Sequence, residues 1–152
     1  MKHFVYAFYS PSYSMVKIGK SSRIEQRWKN FLHWHFDENK SFVLYCKTKL
    51  SQKRIEDTLK VFFKAYPSIE AQSTNKDGYT ECFDLHIIEE VRDFFQYFSS
   101  RYSHEYSYIE NIKPFLHVHS FNMKDENLVG SIFPSINKNN LCSVEDEDMA
   151  DF

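Results

Sequence analysis

The side chains best able to bind an anion are concentrated in the first part of the chain. Residues 1–60 hold 12 lysines and arginines against 5 aspartates and glutamates, and the remaining 92 residues hold 7 against 16. The first block therefore carries a net charge of +7 and the rest −9, although the whole chain is close to neutral at −2. A basic block of this kind is what a phosphate-binding surface needs. A solvated lysine-rich face is the alternative interpretation.

Two charged residues of this block lie beside the apolar faces of predicted helices. The guanidinium fork of Arg27 suits two phosphate oxygens. The carboxylate of Glu56 is a hard oxygen ligand of the kind that Mg2+ or Mn2+ prefers. The alternatives are a solvated Arg27 and an exposed Glu56 that pairs with a lysine on its own helix, Lys53 or Lys60.

Two histidine pairs have the H-x-H spacing that can serve a metal, namely His33 with His35 and His117 with His119. The first pair falls at a predicted helix end, where side chains two residues apart diverge. Third and fourth ligands with zinc spacing are not evident, so His33 or His35 is better interpreted as an accessory base or a phosphate contact. The three cysteines are far apart and form no C-x-x-C pair, which argues against a zinc ribbon or a disulfide scaffold and suits a reducing compartment.

The residues around these side chains predict a small set of strands. Residues 3–9 and 15–19 are expected to form a hairpin, because aromatic and β-branched residues flank a turn rich in serine and proline. A third strand is expected over 41–48. A polar loop is expected over 68–79, followed by a short strand or extended segment over 80–85.

Three helices are predicted from apolar positions at helical spacing. The first begins with a capping box formed by Ser22 and Glu25. The second is capped by Ser51 and ended by Pro67, and Asp84 caps the third. The apolar face of the first helix is expected to comprise Ile24, Trp28, Phe31, Leu32 and His35.

The element order predicts an α+β domain whose small antiparallel sheet has three strands, a hairpin plus one strand, flanked by helices. This domain is expected to span residues 1–103. A C-terminal extension follows over 104–142, within which 105–113 is interpreted as a helix stopped by Pro114 and 115–121 as a strand. The acidic residues 143–152 predict a disordered tail.

The order and spacing of several residues resemble the GIY-YIG nuclease superfamily, in the divergent branch of phages and large DNA viruses whose second motif reads KIGK-S/T. Phe4-Val5-Tyr6 occupies the first motif and Lys17-Ile18-Gly19 the second. Arg27 lies eight residues beyond Gly19, as the family arginine does, and Glu56 is the best match to the metal-binding glutamate. The stretch from Gly78 to Asp84 is similar to the Gly-x-x-Glu-aromatic-Phe segment that ends the core of this branch.

The resemblance implies a divalent-metal-dependent DNA endonuclease, with Mg2+ or Mn2+ as cofactor and DNA as partner. It makes Tyr6, Lys17, Arg27 and Glu56 the expected catalytic residues, and Glu56 also the expected metal ligand. The residues expected to bind nucleic acid are Lys20, Ser21, Arg23, His33 and His35.

Two positions depart from the commoner family pattern, since Phe4 replaces the first-motif glycine and Lys17 replaces a tyrosine. A catalytically degenerate module that keeps the fold and binds nucleic acid or a protein is therefore the alternative. A protein partner would be expected to use the C-terminal region.

The sequence contains neither an evident signal peptide nor an apolar run long enough to span a membrane. An intracellular location, cytoplasmic or nuclear, is expected, and the resemblance implies a viral or phage-encoded protein.

Overall fold

The computed structural model describes residues 2–74 and 79–116. Its five strands are β1 (His3–Ser10), β2 (Met15–Ser21), β3 (Phe42–Cys46), β4 (Cys82–Asp84) and β5 (Tyr106–Ile109). They form one sheet in the order β4-β2-β1-β3-β5, with every neighbouring pair antiparallel. The helices are α1 (Ile24–Asn30), α2 (Lys49–Phe62), α3 (Ile69–Thr74), α4 (Ile88–Arg101) and α5 (Lys113–Leu116).

The α+β class and the antiparallel sheet are confirmed, but the expected count of three strands is wrong. The expected hairpin and third strand form the centre of the sheet, and β4 and β5 extend it on either side. The helix expected over 105–113 is also wrong, because β5 pairs there with the otherwise open edge of β3. Pro114 lies in the first turn of α5, where proline is tolerated, and does not end a preceding helix.

The sheet continues beyond residue 103, where the first domain was expected to end, because β5 belongs to the same sheet. Phe115 and Leu116 lie in α5 and not in the expected strand over 115–121. The rest of that stretch, the rest of the 104–142 extension, His117 and His119, and the tail over 143–152 lie outside the described residues.

Alternation along the strands gives the sheet two buried faces. One face carries Val5 and Ala7 of β1, and it packs against α2 and α4. The opposite face carries Phe4, Tyr6 and Phe8, and it packs against α1 and α5. A polar or charged side chain on either face is therefore covered by helices unless it lies near a sheet edge.

The first two helix starts differ from the sequence prediction. Arg23 is the N-cap of α1 and makes no side-chain capping bond, so the capping box of Ser22 and Glu25 does not form. Thr48 caps α2 by accepting the Ser51 amide at 3.0 Å, three residues before the expected cap. Asp84 does act as a cap, but for the 3-10 turn over Leu85–Ile87 that leads into α4.

The chain after α1 leaves the α-helical conformation and has fewer residues per turn. A 3-10 turn over Leu32–Trp34 follows, and His35 ends it in the left-handed conformation with φ 54°. The change of period turns Leu32 outward, to 61% exposure, and buries Trp34 instead. The loop expected over 68–79 contains α3, whose first turn is capped by the hydroxyl of Ser68.

Candidate functional site

Tyr6 lies at the centre of β1, directly opposite Gly19 of β2. Its ring stacks on Phe8 with centroids 4.1 Å apart, and the residue is 1% exposed. A Cβ atom at position 19 would lie 2.5 Å from Cζ of Tyr6 and nearer still to the phenol oxygen. The phenol therefore occupies the space that a side chain at position 19 would need, which explains why glycine stands there.

Three charged side chains from different elements act on the Tyr6 phenol. Burial raises its pKa most, the Glu81 carboxylate raises it further, the Arg27 guanidinium lowers it, and Glu56 raises it again. The net effect is a pKa well above the ordinary tyrosine value. At neutral pH the group is a protonated phenol, which can donate a hydrogen bond but does not act as a base.

Lys17 is a fully buried cation on the same face of the sheet as Tyr6. Its ammonium contacts Oε2 of Glu81 at 2.7 Å and lies 4.5 Å from the centre of the Phe31 ring. A buried charge persists when it is paired and hydrogen-bonded, and Glu81 supplies that pairing. Lys17 therefore contributes positive electrostatic potential inside the site. It is covered from solvent.

Glu81 links this buried lysine to α2. Lys60 of α2 lies 3.3 Å from Oε1 of Glu81 and 3.5 Å from Oε2 of Glu56, which is almost fully buried. The four side chains form a row of alternating charge that runs Lys17, Glu81, Lys60, Glu56. Burial opposes the charged form of Glu81, but the two lysines outweigh it and lower its pKa below the ordinary glutamate value.

Gln52 fixes the position of α2 over the end of the hairpin. Its side-chain amide nitrogen donates to the carbonyl of Phe4 at 2.9 Å and to that of Ser21 at 3.3 Å. These two residues face each other across β1 and β2. Because Glu56 follows Gln52 by one helical turn, the same bonds place Glu56 beside the hairpin.

The four residues predicted to be catalytic share one region of the fold. Arg27 and Glu56 each act electrostatically on the Tyr6 phenol, and so does Glu81, which pairs with Lys17. Arg27 is half-buried on α1 and makes no ion pair among the residues that the structure describes.

The residues predicted to bind nucleic acid are spread more widely. Lys20 lies opposite Val5, so it is on the other face of the sheet from Lys17. Ser21 uses its hydroxyl locally, accepting the Arg23 amide at 2.9 Å, while Arg23 itself is exposed. His33 lies against the rings of Phe31 and Trp34, and His35 is exposed at the end of its turn.

Sequence reasoning did not assign Glu81, Lys60 or Gln52 to the site. Glu81 lay in the stretch from Gly78 to Asp84 that matched a family pattern, which was the available signal. The sequence offers Lys60 as one of two partners for an exposed Glu56. The structure has that pair, but Glu56 is nearly buried, and Lys53 pairs with Asp57 instead.

A divalent cation would find the Glu56 carboxylate at this position, because both oxygens of Glu81 are already paired with lysines. Mg2+ is commonly bound through one or two carboxylates, with water and substrate phosphates completing its octahedron. The donor set fits such an ion. Residues 2–74 and 79–116 contain no cluster of three or more histidine, cysteine or acidic side chains that would form a cage made of protein ligands alone.

Comparisons of the chain with protein-family models, with curated proteins and with solved structures find no match. Among the described residues, no helix has the length and apolar character needed to cross a membrane.

Proposed function

We propose that this chain is a divalent-metal-dependent DNA endonuclease with a GIY-YIG-like fold. The observation that supports it best is that Arg27 and Glu56 both act electrostatically on the Tyr6 phenol. These residues come from β1, α1 and α2, and the order of the sequence motifs indicates the same three residues. The antiparallel hairpin that carries both motifs at the centre of the sheet is consistent with this fold.

Phosphodiester hydrolysis needs an activated water and stabilisation of charge on the phosphoryl oxygens. Glu56 would hold Mg2+ or Mn2+, and the bound ion would supply a more acidic water and neutralise phosphate charge. Arg27 is suited to bind phosphoryl oxygens, because the residue is half-buried and is not neutralised by an ion pair within the described part of the chain.

Tyr6 acts in this scheme as a hydrogen-bond donor. Burial and two carboxylates keep its phenol protonated, so it is a donor on the buried side of the site and does not remove a proton. Lys17 balances the charge of Glu81 from the buried side. The exposed Arg23 and the half-buried Lys20 would bind phosphates that flank the reacting one.

A plasmid-nicking assay with Mg2+ or Mn2+ tests the proposal. We expect wild type to convert supercoiled DNA to the nicked form. Glu56→Gln and Arg27→Ala should each lower the rate at least 100-fold, a size typical for loss of a group that stabilises transition-state charge.

Asp57→Asn is the matched control, because it removes a carboxylate from the next position of the same helix, where the side chain is exposed and paired with Lys53. Its rate should stay within about twofold of wild type. Equal nicking by wild type and Glu56→Gln would refute the endonuclease proposal.

One observation favours the alternative, a degenerate module that binds nucleic acid without cutting it. Tyr6 and Lys17 are both covered by α1 and by the turn that follows it, and Lys17 is already neutralised by Glu81. This alternative predicts salt-sensitive DNA binding that depends on Arg23 and Lys20, with no nicking in either metal. A protein partner that binds through the C-terminal region belongs to the same alternative and concerns mainly residues outside those described.

A further inference from the structure

The ammonium of Lys60 lies between the carboxylates of Glu56 and Glu81. The protein's own cation therefore occupies the position that a metal ion would take. The Lys60 nitrogen is 3.5 Å from Oε2 of Glu56 and 3.3 Å from Oε1 of Glu81. We propose that Lys60 competes with the divalent cation for Glu56, and that Glu81 retains Lys60 when the cation binds. This inference rests on the proposed function and adds a regulating residue to its site.

The two contacts of Lys60 differ in strength, and the weaker one, with Glu56, is expected to break first. The contact with Glu81 has hydrogen-bond geometry, whereas the contact with Glu56 is a longer ion pair between residues one helical turn apart. Lys60 is partly exposed, with 32% of its side chain accessible. A long, flexible and accessible side chain can leave Glu56 and keep its bond to Glu81 without any movement of the backbone.

The charge of the row explains why the competition matters. Two lysines and two glutamates sum to zero, so the resting site has no excess negative charge with which to attract an ion. A divalent cation added at Glu56 leaves the row with a net charge of +2, which a DNA phosphate would then reduce. Metal and DNA should therefore raise each other's affinity, since coupling between two binding sites is reciprocal.

Calorimetric titration of the full chain with MnCl2 in the absence of DNA tests the inference without using cleavage as the readout. Lys60→Met removes the competing ammonium and should bind Mn2+ roughly five-fold more tightly than wild type, the size expected for a partly exposed ion pair. Lys60→Arg keeps the charge and should stay within about twofold of wild type. Adding Glu56→Gln to Lys60→Met should abolish the gain.

Lys53→Met is the matched control, because Lys53 lies on the same helix and pairs with its own carboxylate, Asp57, also four residues away. It removes the same net charge, so a gain confined to Lys60→Met assigns the effect to the bridge. Lys60→Gln is the second variant if Lys60→Met does not give a cooperative thermal transition.

Unchanged or weaker Mn2+ binding by both neutral variants at position 60 would overturn the inference. If wild type binds Mn2+ through Glu56 and nicks DNA while those variants show no gain, the inference falls and the proposed function stands. If wild type shows no measurable Mn2+ binding, binding by the neutral variants supports the competition. No measurable Mn2+ binding by those variants either refutes it. A gain in Mn2+ affinity together with no nicking by wild type would leave the competition established and remove the endonuclease proposal.

Discussion

Replacing Gly19 with alanine perturbs the contact on which the position of the Tyr6 phenol depends. The added methyl group would lie 2.5 Å from Cζ of Tyr6, well inside the distance at which carbon atoms attract. Tyr6 cannot retreat easily, because its ring is stacked on Phe8 and almost fully buried. We expect Gly19→Ala to lower the free energy of unfolding by about 1–3 kcal/mol, the usual cost of overpacking a core.

Urea unfolding followed by circular dichroism measures this cost. Lys20→Ala is the matched control, because the next side chain of β2 lies on the other face of the sheet and makes no contact with the phenol. A second variant, Gly19→Ala with Tyr6→Ala, isolates the clash, since removal of the ring leaves room for the methyl group. The penalty of Gly19→Ala should then fall to near zero in the Tyr6→Ala background.

The reasoning would be refuted by a Gly19→Ala protein with the wild-type urea midpoint. It would also be refuted by a penalty of the same size with and without the Tyr6 ring. In the latter case the cost would come from the backbone of β2 and not from the phenol.

The remaining predictions concern the two other groups that hold the site together. Glu81→Gln removes the carboxylate between two lysines, and because Glu81 is partly exposed we expect a loss of about 1–3 kcal/mol at pH 7. Since the pKa of Glu81 is lowered in the folded protein, its contribution is fully present above the ordinary glutamate value of 4.5 and is lost as the pH falls through the folded value. The stability difference between wild type and Glu81→Gln, measured by urea unfolding from pH 7 to pH 3, should therefore shrink below about pH 4.5, and a constant difference would contradict the assignment. Gln52→Leu should cost about 1–3 kcal/mol, because it leaves the buried carbonyls of Phe4 and Ser21 without this donor; a wild-type urea midpoint would show that these bonds do not fix α2.

The centre of the fold could be predicted because its signals are local. The hairpin, β3, α2 and α4 each have a period or a turn that can be identified within about ten residues. β5 has four residues, too few to show a period, and its pairing partner β3 lies some sixty residues earlier in the chain. The strand exists because the edge of β3 is available, which is a property of the assembled sheet.

In the candidate site, too, some residues could be predicted from local sequence signals and others could not. Arg27 and Glu56 could be found by spacing, since each lies on a helix with a clear apolar face. The pairing of Lys17 with Glu81 joins residues 64 positions apart, and nothing near Lys17 indicates that it is buried. A lysine on a strand is ordinarily assigned to solvent, and only the carboxylate supplied by β4's leading turn makes the interior position tolerable.

Both outermost strands of the sheet bond some of their edge groups to the chain's own polar groups. Beyond β4, the Ser68 amide donates to the Cys82 carbonyl at 3.0 Å and the Asp84 amide donates to the Tyr66 carbonyl at 2.8 Å. Beyond β5, the Tyr108 amide donates to the Ser99 hydroxyl at 3.0 Å. Exposed strand edges are templates for uncontrolled association between copies, and covering them prevents it. The short outer strands β4 and β5 therefore offer fewer free backbone groups for edge-to-edge pairing between copies than their position in the sheet would suggest.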